Sequence, residues 1–292
     1  MEHMLVRYLN EFVVHYPEGN NFMQSNNRKS IGVVGAGFVG KAVFKGFSLY
    51  CETKMYDINP SLSVNSFEET VFSDIVFVCV PTPMSEDGSA DLSMVKQVLK
   101  KAEEINKNAI YVIKSTIPVG TLKNLSKMYE LRIVHSPEFL TARTALIDFI
   151  TPTRTIVGGY DTEAVKDVCD LFRERFPGHP VISMSGEEAE MVKYVANCFF
   201  ATKITFFNEV KLLADKLGLD WGAVMSGVLA DGRIARSHTD VPGHDGKPGF
   251  GGACFPKDTN ALISTMKSNG IDPIQLMATV EQNKRIRGNH GN

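Results

Sequence analysis

At 292 residues the chain can hold one large domain or two modest ones. It is 43% hydrophobic and 22% charged with a net charge of −2, a balance that offers no electrostatic basis for binding nucleic acid or an anionic membrane. No segment is apolar for long enough to span a bilayer. The five cysteines are odd in number and show no C-x-x-C spacing. Together with the lack of a histidine cluster, this predicts reduced thiols in a cytoplasm and no metal site.

Residues 1–29 read as an N-terminal extension. Its one apolar run, Leu5 to Val14, is broken by Arg7, Asn10 and Glu11 and lacks the pattern of a signal peptide. Met23 precedes the first strand, so residues 1–22 are an add-on or an alternative start with no assigned function. Ile31–Val34 is a strand-type run that leads directly into Gly35-Ala36-Gly37-Phe38-Val39-Gly40, and Asp57 ends the next strand twenty-two residues after Gly35. In a βαβ unit Gly35 makes the tight turn, Gly37 admits a pyrophosphate, and Gly40 packs helix on strand. The helix N-terminus at Phe38 and Val39 stabilises phosphate charge, and Asp57 accepts from ribose hydroxyls. A carboxylate repels a ribose phosphate, and Ile58 to Leu62 contain no arginine, so the cofactor expected is NAD rather than NADP.

Further strand-like runs lie at Ile75–Val80, Ala109–Ile113, Arg132–Val134, Thr155–Val157 and Val181–Met184. Helical patterns fall between most of them, at Val39–Leu49, Leu92–Ile105, Val119–Met128 and Ala164–Phe176. Such alternation predicts an α/β, Rossmann-type doubly wound parallel sheet over residues 30–184. Pro118 reads as a first helical residue, and Thr116 is open to two readings, an N-cap or a site residue. Ser185-Gly186-Glu187-Glu188 is a capping box, followed by an unbroken helical pattern to Leu217 closed by Gly218. That helix is the expected spine of a helical domain over residues 185–292. Its apolar residues, Val192, Val195, Phe199, Phe200, Ile204, Phe206 and Phe207, predict that it is buried. Lys193, Asn197 and Asn208 fall within about 40° of one another at helical spacing, as the wall of a polar pocket.

Near the C-terminal end, Gly249-Phe250-Gly251-Gly252-Ala253-Cys254-Phe255-Pro256-Lys257-Asp258 places one cysteine in a glycine-rich bend before a helix start. A helix N-terminus and a neighbouring ammonium both stabilise negative charge on sulfur, so Cys254 is a candidate nucleophile rather than an inert buried thiol. Residues Glu281 to Asn292 read as a polar tail.

The fingerprint, Lys114-Ser115-Thr116-Ile117-Pro118-Val119-Gly120-Thr121, Ser136-Pro137-Glu138-Phe139-Leu140, the Lys193/Asn197 helix and the cysteine loop occur in one order. Over roughly residues 30 to 285 the chain resembles the UDP-glucose/GDP-mannose dehydrogenase family, most closely its UDP-glucose-oxidising members. The resemblance implies an NAD-dependent four-electron oxidation of a nucleotide sugar at C6, UDP-glucose to UDP-glucuronate, through a thiohemiacetal and a thioester on Cys254. It implies that Lys193 and Asn197 act as oxyanion donors, and that Glu138, Thr116 and Asp258 hold and activate water. Val80, Pro81, Thr82, Ser115 and Thr116 would line the nicotinamide. Glu138, Phe139, Leu140, Lys193, Asn197, Phe250 and Gly251 would surround the sugar with Cys254. Arg233 resembles a substrate arginine lent across a homodimer.

Some positions depart from the family pattern. Ala142, followed by Arg143, stands where a second glutamate is usual, Leu62 where an arginine is common, and the segment from His238 to Pro248 looks longer than in many relatives. The chain reads as a short form without the family's further nucleotide-sugar-binding domain. Two other readings stay open: a two-electron dehydrogenase of the 3-hydroxyacid or 6-phosphogluconate type, which has no use for Cys254, and a catalytically silent NAD-binding partner subunit.

Overall fold

The computed structural model describes residues 28–85 and 89–288, so positions 1–27 of the expected extension and 289–292 of the expected tail lie outside the described residues. Seven strands form one sheet: β1 (Ile31–Val34), β2 (Thr53–Tyr56), β3 (Ile75–Val78), β4 (Ile110–Ile113), β5 (Arg132–His135), β6 (Thr155–Gly159) and β7 (Val181–Met184). Their order is β2-β1-β3-β4-β5-β6-β7. Five of the six pairings are parallel, and β5 with β6 is antiparallel. The sheet is therefore mixed rather than wholly parallel. The short excursion through Ala145–Ile150 brings the chain back beside β5 in the opposite sense, where a full crossover would have kept it parallel.

The strands bury apolar side chains on both faces, as a sheet covered by helices requires. On one face Ile31, Val33, Phe77, Val112 and Val134 meet α1 (Phe38–Ser48), α5 (Ala145–Ile150) and α6 (Thr162–Arg175) through Phe47, Phe149, Phe172 and Phe176. These four rings touch at centroid separations of 5.4–6.4 Å. On the other face Val34, Val76, Val78, Tyr111 and Ile113 meet α2 (Phe67–Val71), α3 (Ser93–Ile105) and α4 (Thr121–Met128). The helix expected from Val119 begins later. Gly120 is its N-cap with φ +88°, and the Pro118 carbonyl accepts from Thr121, so Pro118 precedes the helix and Thr116 does not cap it.

After β7, Ser185 and Glu188 form the expected capping box and open α7 (Gly186–Lys216). Its 31 residues span about 46 Å. α7 is joined by α8 (Trp221–Leu229), α9 (Phe255–Ser268) and α10 (Ile274–Gly288). α9 packs on α7 through Tyr194, Cys198, Ala261 and Leu262, and α10 adds Leu276 to the same cluster. Two expectations fail here. Residues 281–288 of the segment read as a polar tail are the second half of α10, with Asn283 buried. α7 is also not buried all round: Val195, Phe199 and Phe206 are 54%, 62% and 58% exposed, on one stripe with Met191 and Leu213, while Phe207 is buried. α8 buries none of its residues.

Candidate active site

In a doubly wound sheet, ligands lie beyond the carboxyl ends of the parallel strands, at the point where the strand order reverses. Here that point is between β1 and β3. Gly35 follows β1, Asp57 follows β2, Val80–Thr82 follow β3, Ser115 and Thr116 follow β4, and Glu138 follows β5. One edge of the sheet thus collects nearly every residue expected at the cofactor.

The first turn is built for close approach. A Cβ on Gly35, whose φ is +101°, would lie 2.7 Å from the Cys79 carbonyl, and one on Gly40 would lie 1.8 Å from the Gly35 carbonyl. Gly37 is the N-cap of α1 and has open space above it, with Phe38 exposed and Val39 half-buried beside it. An anion seated there meets free amide N–H groups and the positive end of α1. Asp57 Oδ2 accepts from the Ala36 amide at 2.7 Å and Oδ1 from the Asn59 amide at 2.8 Å, which fixes the carboxylate beside the turn. Each oxygen keeps a lone pair for a ribose hydroxyl. The residues present fit NAD. Where the nicotinamide is expected, Ser115 Oγ donates to the Val80 carbonyl at 2.6 Å and Thr82 Oγ1 to the Thr116 carbonyl at 2.8 Å, so the β3 and β4 loops form one wall that also holds Pro81.

The second half of the site is where α7 meets α9 and the β5 loop. Lys193, Asn197 and Asn208 are all buried, on the shared stripe that the helical spacing predicts. Asn197 Nδ2 donates to Asp258 Oδ2 at 2.6 Å, and Lys257 Nζ lies 2.6 Å from Asp258 Oδ1. Asp258 is fully buried rather than an exposed turn carboxylate. Lys193 Nζ donates to the Glu138 carbonyl. Burial pushes the Lys193 ammonium below its ordinary range, while the charges of Asp258, Cys254 and Glu138 pull the other way. Cys254 is the N-cap of α9 and the one exposed thiol of the five. The Glu138 carboxylate is neither free nor fully exposed: Oε1 accepts from the Phe139 amide at 2.8 Å, and Oε2 lies 3.0 Å from Lys114 Nζ. Lys114, Glu138, Phe139, Leu140 and Arg154 line a cavity of about 260 Å³. Arg154 lies 4.2 Å from the centre of the Phe139 ring.

The cysteine loop is held from behind. Asn208 Oδ1 accepts from the Gly249 amide at 2.9 Å. Asn283 clasps Phe250 on both sides, Oδ1 accepting from its amide at 2.7 Å and Nδ2 donating to its carbonyl at 2.9 Å. Arg287 donates to the Pro248 carbonyl at 3.1 Å and pairs with Asp245 at 2.5 Å. Gly249 has φ +72°, and a Cβ there would meet Asn283 Oδ1 at 2.5 Å. Phe250, expected at the substrate, has its ring buried edge-on against Phe255 and both backbone groups occupied. It anchors the loop; Gly251 is half-buried against Arg287, and Gly252, Ala253 and Cys254 are the part that faces outward.

Several site residues lay beyond the sequence reading. Glu190 is fully buried and caps α4 from another helix, accepting from the Gly120 and Leu122 amides at 2.6 Å each. Burial pushes its carboxyl up to about 7, against the pull of those two bonds. It lies one turn before Lys193, so it ties α7 to the loop carrying Thr116. The His135 ring reaches the Ser115 carbonyl at 3.3 Å, and burial lowers its pKa to about 3, which keeps it neutral. Only the three-residue offset of Glu190 from Lys193 was a usable signal; Asn283 and Arg287 sit on a segment whose polarity hid a helix. Arg233 is not drawn into this cluster. Its side chain is 90% exposed and pairs with Asp231 at 2.6 Å.

Residues 51–175 match the NAD binding domain of the UDP-glucose/GDP-mannose dehydrogenase family, and residues 187–285 match its central domain. The chain is 38% identical over 225 residues to UDP-glucose 6-dehydrogenase TuaD of Bacillus subtilis, covering 74% of this chain and 47% of the relative. Thus it spans about half the length of the curated relatives it matches. A UDP-glucose dehydrogenase from the archaeon Pyrobaculum islandicum superposes with a TM-score of 0.80 at 32% identity, over 90% of this chain and 69% of that one. A 3-hydroxyisobutyrate dehydrogenase from Mycobacterium tuberculosis shares the fold at a TM-score of 0.72 and 18% identity, over 90% of this chain and 95% of that one. Asp57 and the wall from Val80 to Thr116 fall within the first match, and the buried Lys193–Asn197–Asp258 cluster and exposed Cys254 within the second: the chain belongs to the UDP-glucose/GDP-mannose dehydrogenase family.

Proposed function

We propose that the protein oxidises the C6 hydroxymethyl of UDP-glucose to a carboxylate in two steps, through a covalent intermediate on Cys254. The observation that carries this is the exposed thiol at the N-terminus of α9, one helical turn before an Asp258 that is buried against Asn197. A two-electron dehydrogenase has no use for that thiol. NAD, when bound, supplies the hydride acceptor for both oxidations.

The chain's own residues do the rest. Gly35, Gly37, Gly40 and Asp57 hold the adenosine end and Val80, Pro81, Thr82 and Ser115 the nicotinamide wall. Between the two oxidations Cys254 Sγ adds to the carbonyl carbon of the C6 aldehyde, and a proton moves to the oxygen. Lys193 and Asn197 stabilise the developing oxyanion, each donor contributing roughly 3 kcal/mol when pre-organised. Asp258 orients Asn197 through the 2.6 Å bond and shares the Lys257 charge. Once a thioester has formed, Glu138 takes a proton from water held with Thr116, and the C–S bond breaks. Phe139, Leu140 and Gly251 flank the sugar.

Residues 30–184 and 185–292 serve as the cofactor and catalytic domains. The exposed stripe Met191, Val195, Phe199, Phe206 and Leu213, continued by the unburied apolar helix α8, supports a homodimer through α7. Arg233, exposed and tied only to Asp231 among the described residues, is free to reach a partner's sugar site. No helix among the described residues is long and apolar enough to cross a membrane, and five unpaired thiols fit a cytoplasmic setting. The test is product identity: with UDP-glucose and NAD the purified chain should release UDP-glucuronate. Release of an aldehyde or no product would reject the assignment.

A further inference from the structure

Lys114 has no part in the chemistry above, yet its side chain is 4% exposed. Burying an ammonium costs several kcal/mol, and a position that needed only to be filled would carry leucine or methionine. Its Nζ lies 3.0 Å from Glu138 Oε2 and 3.4 Å from both Ser136 Oγ and the Pro137 carbonyl, three successive residues of the loop that presents Glu138.

The other titratable groups around the Glu138 carboxylate leave this task to Lys114. Lys193, from α7, donates to the Glu138 main-chain carbonyl and not to the carboxylate. The Cys79 thiol after β3 is pushed up to about 12 by burial and carries no charge. His135 on β5 is neutral. Arg154, ahead of β6, lies over the Phe139 ring. Among the described residues, Lys114 is the cation in contact with the carboxylate.

We propose that Lys114 is a positioning residue for thioester hydrolysis: it pins the Glu138 loop and holds the carboxylate aimed, so that it can take the proton of the attacking water. In that step the water oxygen bonds to the acyl carbon while one water proton passes to Glu138. The tetrahedral adduct then collapses, the C–S bond breaks with its electron pair going to Cys254 Sγ, and the acid is released. In this role Lys114 acts through Glu138. The inference rests on the proposed role of Glu138 and deepens it.

The deacylation step can be read without cofactor or nucleotide sugar. Acetylation of Cys254 by 4-nitrophenyl acetate forms the S–acetyl bond and releases 4-nitrophenolate. Loss of the acetyl group is then followed by intact mass, with Cys254→Ser as the site control. General-base assistance is worth on the order of 100-fold, so Glu138→Gln should lengthen the acetyl lifetime by about that factor. Lys114→Met and Lys114→Gln should match it, with Lys114→Arg restored to within about 10-fold of the parent, since it keeps the cation. Two uncharged variants guard against one failing to fold. If Glu138→Gln is slow and either folded Lys114 variant deacylates at the parent rate, the inference about Lys114 is wrong while the role of Glu138 stands. If Glu138→Gln itself deacylates at the parent rate, the base assignment fails and the inference with it.

Discussion

Asn283→Ala tests whether α10 is a structural support of the thiol loop. The Asn283 amide is buried and makes two bonds to the Phe250 backbone, at 2.7 and 2.9 Å. Truncation leaves a buried N–H and a buried C=O without partners, each costing about 1–3 kcal/mol. Side-chain packing is lost as well, so a total of about 2–5 kcal/mol is expected. For a chain of this size that corresponds to a fall in melting temperature of about 5–15 °C. The loop ahead of Cys254 would then be held by the Asn208 and Arg287 bonds and the packing of Phe250 on Phe255, and alkylation of this exposed thiol by iodoacetamide should change in rate. Asn283→Asp can still accept from the Phe250 amide but cannot donate to the carbonyl, and it buries a charge, so it should not rescue. A loss below about 1 kcal/mol, with alkylation unchanged, would refute the clasp as an energetic support.

Other changes probe separate parts of the account. Glu190 titrates at about 7 in the fold against 4.5 unfolded, so the folded state holds its proton more tightly. Stability from this group is therefore complete below pH 4.5 and lost as pH rises through 7, with a slope of up to about 1.4 kcal/mol per pH unit. Urea midpoints across that window should flatten in Glu190→Gln; an unchanged slope would deny the shift. Gly40→Ala places a methyl 1.8 Å from the Gly35 carbonyl, which should displace α1, cost about 1–3 kcal/mol and abolish NAD binding by calorimetry. Parent-like affinity would mean the turn is not the phosphate cradle. Phe199→Asp sets a charge in the exposed α7 stripe and should convert a dimer to a monomer in sedimentation velocity. A parent-like dimer would place the interface elsewhere.

The local rules that read the chain well were those with a strict spacing. Gly35 to Asp57, the Ser185–Glu188 box and the Lys193–Asn197–Asn208 stripe depend on backbone geometry alone, and each stands in the structure as its spacing predicts. What escaped depends on tertiary partners. α10 has no apolar stripe to announce it, because its inward groups are polar: Thr279 meets the Thr202 hydroxyl of α7, and Asn283 and Arg287 are spent on the backbone of the cysteine loop. Pro118 and Thr116 looked like helix entry, but Glu190, seventy residues from Gly120, supplies the cap and moves the start to Thr121. The exposed phenylalanines of α7 were read as core because apolar content does not distinguish a buried face from an unpartnered one. Antiparallel β6 was hidden by a helix too short to signal a crossover.

The central claim is that Cys254 carries the substrate between two oxidations. NADH formed per UDP-glucose consumed, measured for the parent and for Cys254→Ser, tests it most directly. The account predicts two NADH per sugar in the parent and loss of that turnover in the variant. One NADH per sugar, unaffected by the substitution, would contradict it and make the thiol a bystander.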